Sequence, residues 1–174
     1  VERSRGLGDV YKRQMNMVKR TWAEISLNAI EHNYNVIRNK VADDTKVCCV
    51  IKADGYGHGA VELSQIYEKL GADFFAVSNI DEGIEIRKNG SKLPIVILGY
   101  TPVSEAENLA EYDISQAVFS LEYAKELSEK CVEEDCICKM HIKVDSGMSR
   151  IGFMCQEFPR DEYSICLLYT SDAA

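Results

Sequence analysis

The sequence predicts an α/β fold on a parallel sheet, and three observations carry that prediction. Short apolar runs alternate with amphipathic stretches, from Lys46-Val-Cys-Cys-Val-Ile51 to Ile137-Cys-Lys-Met-His-Ile-Lys-Val144. Apolar runs of this length, bounded by turn residues, read as strands covered on both faces. Their regular alternation with helices implies right-handed crossovers, which leaves an open doubly wound sheet or a closed barrel. No Gly-x-Gly-x-x-Gly follows the first strand, which lowers the dinucleotide-binding option.

Taken in order, the chain opens on Val1 to Gln14, which has neither period nor targeting logic, and closes on an equally foreign stretch, Cys166 to Ala174. Codons for Asp9 to Gln14, written GAT GTG TAT AAG AGA CAG, are the reverse complement of a sequence that reads one frame over as Cys-Leu-Leu-Tyr-Thr. Such an inverted repeat is expected of a transposon adapter read through at both ends of a sequencing insert. The native chain is therefore expected to start at Met15 or Met17 and to be cut near Ile165.

Thr21 to Leu27 alternates in the manner of a strand. Asn28 is placed to cap a helix on which Ile30, Tyr34, Ile37 and Val41 recur. After the strand Lys46 to Ile51, a helix from about Gly59 carries Val61, Leu63, Ile66 and Leu70 and ends at Gly71. Phe74 to Ser78 is the next strand, and Ile80 to Lys88 a helix closed by Asn89-Gly90. Ile95 to Leu98 is a third strand, followed by Gly99-Tyr-Thr-Pro102 and a helix from Ser104 to Ala110. Ile114 to Val118 is the fourth. Ser120 caps a helix through Leu121, Ala124, Leu127 and Cys131, and Ile137 to Val144 is the fifth strand.

The 174 residues suit one domain, and 46% hydrophobic residues suffice for a core. With 20 Lys+Arg against 28 Asp+Glu the net charge is -8, which argues against nucleic acid and anionic membranes as partners. No apolar run reaches the length of a membrane span, and no secretory signal opens the chain. Cys48, Cys49, Cys131, Cys136, Cys138, Cys155 and Cys166 are odd in number and fit no disulfide framework, so cytoplasmic thiols are expected. Cys131, Cys136 and Cys138 lack the paired Cys-x-x-Cys spacing of zinc sites, and His58 and His141 have no ligand partners at metal spacing. No metal is expected. Cys48 and Cys49 point to opposite faces of one strand and read as core packing.

Chemistry concentrates in two stretches. In the first, Val47-Cys-Cys-Val-Ile-Lys52-Ala-Asp-Gly-Tyr56-Gly-His-Gly59, a buried strand ends in one lysine before a turn rich in glycine. Lys52 sits where α/β barrels keep their active groups. It suits either a Schiff base with an aldehyde or a plain cation meeting a phosphate at the following helix N-terminus. A lysine that merely reaches to solvent is the remaining reading. In the second stretch, His141, Lys143 and Asp145 share one face of the fifth strand, while Met140, Ile142 and Val144 share the other. In a barrel the apolar set packs under the helices and Lys143 turns inward, where it needs an anion or a lowered pKa. Asp145 or water could also satisfy it. Arg150, in the loop that follows, suits bidentate carboxylate recognition or plain exposure.

Val50-Ile-Lys52-Ala-Asp-Gly-Tyr56-Gly-His-Gly-Ala60 closely resembles the pyridoxal-phosphate lysine motif of bacterial alanine racemases. Lys143-Val-Asp-Ser-Gly-Met148-Ser-Arg150-Ile-Gly152 resembles that family's Lys-x-Asp-Thr/Ser-Gly-Met-x-Arg-x-Gly, and Phe75 to Glu85 its strand-to-helix segment with Glu82, read as structural. The likeness runs from about Thr21 to Phe153. It implies an eight-stranded TIM-type barrel followed by a β-rich domain, so residues 15–165 would form an incomplete barrel of five strands. It further implies pyridoxal 5'-phosphate as cofactor, alanine as substrate and a homodimer. Lys52 would hold the cofactor as a Schiff base and move the substrate proton, and Tyr56 would bond the cofactor phosphate. Arg150 would bond the ring oxygen, Met148 would offer its amide to the substrate carboxylate, and Lys143 would be the lysine modified to a carbamate. The second base and the partner of the pyridine nitrogen would lie downstream, so this chain by itself is expected to be inactive. A cofactor-homeostasis barrel without turnover, a serine racemase on the same scaffold and a phosphate-binding barrel are the alternatives.

Overall fold

The computed structural model describes residues 23–154. Both stretches read as adapter-derived, and the expected break near Ile165, fall outside them. Five parallel strands form one sheet in chain order: β1 Cys48–Val50, β2 Phe74–Val77, β3 Ile95–Ile97, β4 Ile114–Val118 and β5 Met140–Ile142. Helix α1 (Leu27–Arg38) precedes β1, and the crossovers carry α2 (Ala60–Lys69), α3 (Ile80–Lys88), α4 (Ala106–Glu111) and α5 (Leu121–Glu133). A doubly wound sheet reverses its strand order at a switch point, whereas a barrel does not. The unbroken order β1-β2-β3-β4-β5 therefore favours the barrel over the open sheet.

Strand register sorts the side chains into two layers. Phe75, Ile95 and Ile114 align in one row, and Val77, Ile97, Gln116 and Met140 in another. These rows face the helices, where Phe75, Val77, Ile97 and Val118 are fully buried against Leu63, Ile86, Leu109 and Leu127. Each such side chain contributes roughly 1.5–3 kcal/mol on leaving water. The alternate row Val50, Ala76, Val96 and Ser115 lines the inner face, joined by Ala117 and His141. At the β1 edge of that face Val50 is 41% exposed.

Most elements fall where the sequence places them, with four corrections. Residues 23–26 are irregular and Leu27 opens α1, so the strand expected over Thr21 to Leu27 is not formed in its described part. None of those residues has a ladder partner, and the Ser26 side chain accepts from the Ala29 amide, making Ser26 the cap expected at Asn28. The helix expected from Ser104 starts as a 3-10 turn, Val103–Glu105, and becomes α at Ala106. The fifth strand is shorter than expected. Lys143 still donates to Val118 O, but its own carbonyl accepts from Phe153, and β6 (Val144–Asp145) pairs instead with β7 (Phe153–Met154). Val144 is accordingly 46% exposed rather than packed under the helices with Met140 and Ile142.

Candidate functional site

Lys52 follows directly on the buried end of β1, where Ile51 is 1% exposed and its amide donates to Ala76 O. From Ala53 to Tyr56 the backbone is left-handed, with φ between +51° and +61°. That conformation costs roughly 1–2 kcal/mol per non-glycine residue, and only Gly55 of the four escapes it. Hydrogen bonds offset the strain. Gly55 N donates to Ile51 O and Gly59 N to Asp54 O, both at 2.9 Å, while Asp54 Oδ1 accepts from Ala60 N at 2.8 Å and so caps α2. Glu82 closes the arrangement from α3: Oε1 accepts from Ala53 N and Oε2 from Ser78 N, each at 2.8 Å, and Ser78 Oγ donates to the same carboxylate. The structural reading of Glu82 thereby acquires a content, since this carboxylate fastens the Lys52 turn to the β2–α3 junction. Gly55 is required as well, because a Cβ there would lie 2.6 Å from Leu63 Cδ1.

The second constellation lies past β5. Lys143 projects from the inner face and its Nζ donates to Leu98 O at 2.8 Å. Burial lowers its affinity for a proton, the charges of Arg150 and Lys52 push the same way, and Asp145 opposes them. Lys52 and Lys143 follow β1 and β5, the two edges of the sheet. For their charges to interact the sheet must curl edge toward edge, as part of a barrel wall does. Asp145 organises the loop beyond: its carboxylate accepts from the amides of Gly147 (2.9 Å), Ser149 (2.9 Å) and Arg150 (3.1 Å). With a smaller contribution from Met148, those amides hold the carboxyl below the usual carboxylate range. The Met148 side chain is 75% exposed.

Of the residues singled out in the sequence, Lys52 follows β1 while Lys143 and Arg150 follow β5, all beyond the carboxyl ends of the strands, and the charges of Arg150 and Lys52 act on Lys143. Tyr56 shares the Lys52 turn and is 60% exposed, and Met148 sits between Lys143 and Arg150. Such a cluster of cations is costly alone and suits an anionic ligand. The residues present therefore fit pyridoxal phosphate: an amine for the aldehyde, and cations with a tyrosine for the anionic oxygens. Tyr123 is committed elsewhere, its hydroxyl donating to Thr101 O at 2.7 Å and its ring stacked 4.8 Å from Phe119. Tyr112 lies under Lys88, and Tyr163 is outside the described residues. A concavity of about 330 Å³ lined by Asp73, Phe74, Val96 and His141 opens at the opposite end of the strands. It is the floor of the inner face and holds none of the cations just described. No helix among the described residues is long and apolar enough to cross a membrane.

Comparison with known proteins agrees with this fold. The model of the family "Alanine racemase, N-terminal domain" matches residues 25–164. Alanine racemase 1 of Caldanaerobacter subterraneus subsp. tengcongensis is 40% identical over 137 residues, covering 79% of this chain and 35% of the relative. The chain thus spans about a third of the length of the curated relatives it matches. Among solved structures, alanine racemase from Clostridium difficile 630 superposes with a TM-score of 0.78 at 42% identity, over 88% of this chain and 39% of that one. Histidine racemase from Leuconostoc mesenteroides subsp. sake superposes with a TM-score of 0.75 at 29% identity, over 86% and 39%.

Proposed function

The chain belongs to the alanine racemase N-terminal-domain family, and we propose that it is the cofactor-holding part of a longer racemase that interconverts L- and D-alanine. The observation that carries this reading is the convergence of Lys52 with Lys143 and Arg150 at one end of a curled parallel sheet. Pyridoxal phosphate, when bound, supplies the electron delocalisation that acidifies the Cα–H of an amino acid. Lys52 would hold the cofactor aldehyde through its amine and, once released, move the proton on one face of the substrate. The Glu82 clamp fixes the backbone from which that amine projects. Tyr56 would bond the phosphate, Arg150 would place its charge at the ring oxygen, and the Met148 amide would meet the substrate carboxylate.

Lys143 fits its proposed modification. A half-buried amine in the field of two cations is readier to lose its proton, and only the neutral amine adds to carbon dioxide, releasing a proton and leaving an anionic carbamate. That charge reversal would turn repulsion of Arg150 into attraction. The second base, a tyrosine from the downstream domain of a partner subunit in a homodimer, would complete the site. In this proposal the product is D-alanine for peptidoglycan, made in the cytoplasm, and the 174-residue chain alone does not turn over.

Expressing the full open reading frame from the source DNA beside the present chain, in cells that depend on added D-alanine, tests this directly. The long product restores growth and the short one does not. Growth supported by the short chain would remove the need for a downstream base. A second reading keeps the chemistry and changes the amino acid, since a histidine racemase shares this scaffold at a TM-score of 0.75. A long product that racemises serine or histidine faster than alanine would select it.

A further inference from the structure

We propose that Cys131, Cys136 and Cys138 form a binding site for a soft d10 cation such as Zn2+ or Cu+, at the amino-terminal end of β5 and so at the opposite end of the sheet from Lys52. Their Sγ atoms all lie within 4.8 Å of one another. The spacing Cys-x4-Cys-x-Cys gives no hint of this, which is why the sequence predicts no metal. The fold supplies what the spacing lacks. α5 ends at Glu133, Asp135 turns left-handed at φ +49°, and Cys136 N donates back to Cys131 O at 2.9 Å. That reversal sets Cys136 over Cys131. Cys138, two residues on, brings its thiol to the same side, while Ile137 between them is 83% exposed.

Geometry and chemistry agree on the ligand. A cation bound at about 2.3 Å to each sulfur sets the sulfurs roughly 3.8 Å apart, so the thiols need close by no more than about 1 Å from their 4.8 Å limit. A cavity of about 80 Å³ beside them is lined by all three cysteines and by Met140, whose thioether is a further soft donor. All three thiols are half-buried, and Cys138 Sγ donates to Ala106 O at 3.3 Å. Binding is a proton exchange with no oxidant: three S–H bonds break, three metal–sulfur bonds form, and three protons pass to water.

Titrating the reduced chain with Cd2+ alone tests the site through the ultraviolet thiolate-to-cadmium charge-transfer band. One equivalent should saturate the band, and Cd2+ should displace Zn2+ bound beforehand. Cys136→Ser should weaken binding by more than about tenfold, since even partners of ligands cost 10–100-fold, while Cys48→Ser should leave it unchanged. Should Cys136→Ser fail to fold, alkylation mapping of the wild-type chain decides, because Cd2+ must protect Cys131, Cys136 and Cys138 together. Protection confined to other cysteines, no saturable band, or a band that survives replacement of all three would overturn the proposal.

Discussion

Two loops present cations at the same end of the sheet, and they are held in opposite ways. The Lys52 turn is fastened from outside itself, by a Glu82 carboxylate 29 residues along the chain from the Ala53 amide it accepts. The Lys143–Arg150 loop is fastened from within, its amides gathered by Asp145 no more than five residues away. The first conformation is intrinsically strained and exists only when β2 and α3 are in place; the second forms from local hydrogen bonds. The covalent attachment proposed for Lys52 needs a fixed origin, and a long-range clamp on a strained turn supplies one. A loop of exposed residues whose amides share one carboxylate is built to adjust.

The largest expected effect breaks the outside fastening. Glu82→Ala orphans the Ala53 and Ser78 amides, two charge-assisted hydrogen bonds, and should cost roughly 3 kcal/mol in urea unfolding. Amide exchange at Gly147 and Ser149 should stay as in the parent. Next is Gly55→Ala, which adds left-handed strain and a Cβ 2.6 Å from Leu63 Cδ1, for an expected loss of about 2 kcal/mol by the same measurement.

Lys143→Met should act in the other direction. The folded-state pKa of Lys143 lies below its ordinary 10.5, so between those two values the unfolded chain binds the extra proton and stability rises with pH. Below its folded value the unmodified amine is charged in both states, and the folded state carries the full cost of that charge. Lys143→Met should therefore raise Tm at pH 7, and its advantage over the parent should shrink as pH approaches 10.5. The smallest global effect belongs to Asp145→Asn. Its carboxyl is held below 3.8, so its contribution is present above that pH and is lost as pH falls through the lower folded value. Asparagine should speed exchange at Gly147, Ser149 and Arg150 at pH 7 while leaving Tm nearly unchanged.

The difference between the loops also explains what the sequence could disclose. Ile80–Lys88 and Ile114–Val118 were readable to the residue because apolar period, an N-cap or a bounding turn coincide there. The Asp145 loop announces itself through an Asp followed two residues later by glycine, a local turn signal. The Lys52 turn does not. Ala53, Asp54 and Tyr56 are not residues that seek the left-handed region as glycine does, and what puts them there is a carboxylate on another helix. Glu82 reads as structural in the sequence, yet nothing local says where its side chain goes. The described part of the strand expected over Thr21 to Leu27 is absent for the converse reason: alternation suits a strand, but strands are made by partners, and residues 23–27 have none in the sheet. The thiol cluster was hidden because the reversal at Asp135 replaces sequence spacing as the device that gathers ligands.

In the proposed function Lys52 is the attachment point in a shared cation cluster. Treating the chain with one equivalent of pyridoxal phosphate, reducing with borohydride and mapping the labelled peptide tests that most directly. The expected result is a single label on Lys52, slowed by Glu82→Ala, which loosens the turn without removing the amine. Label spread over surface lysines such as Lys88 and Lys139, with no preference for Lys52, would contradict it.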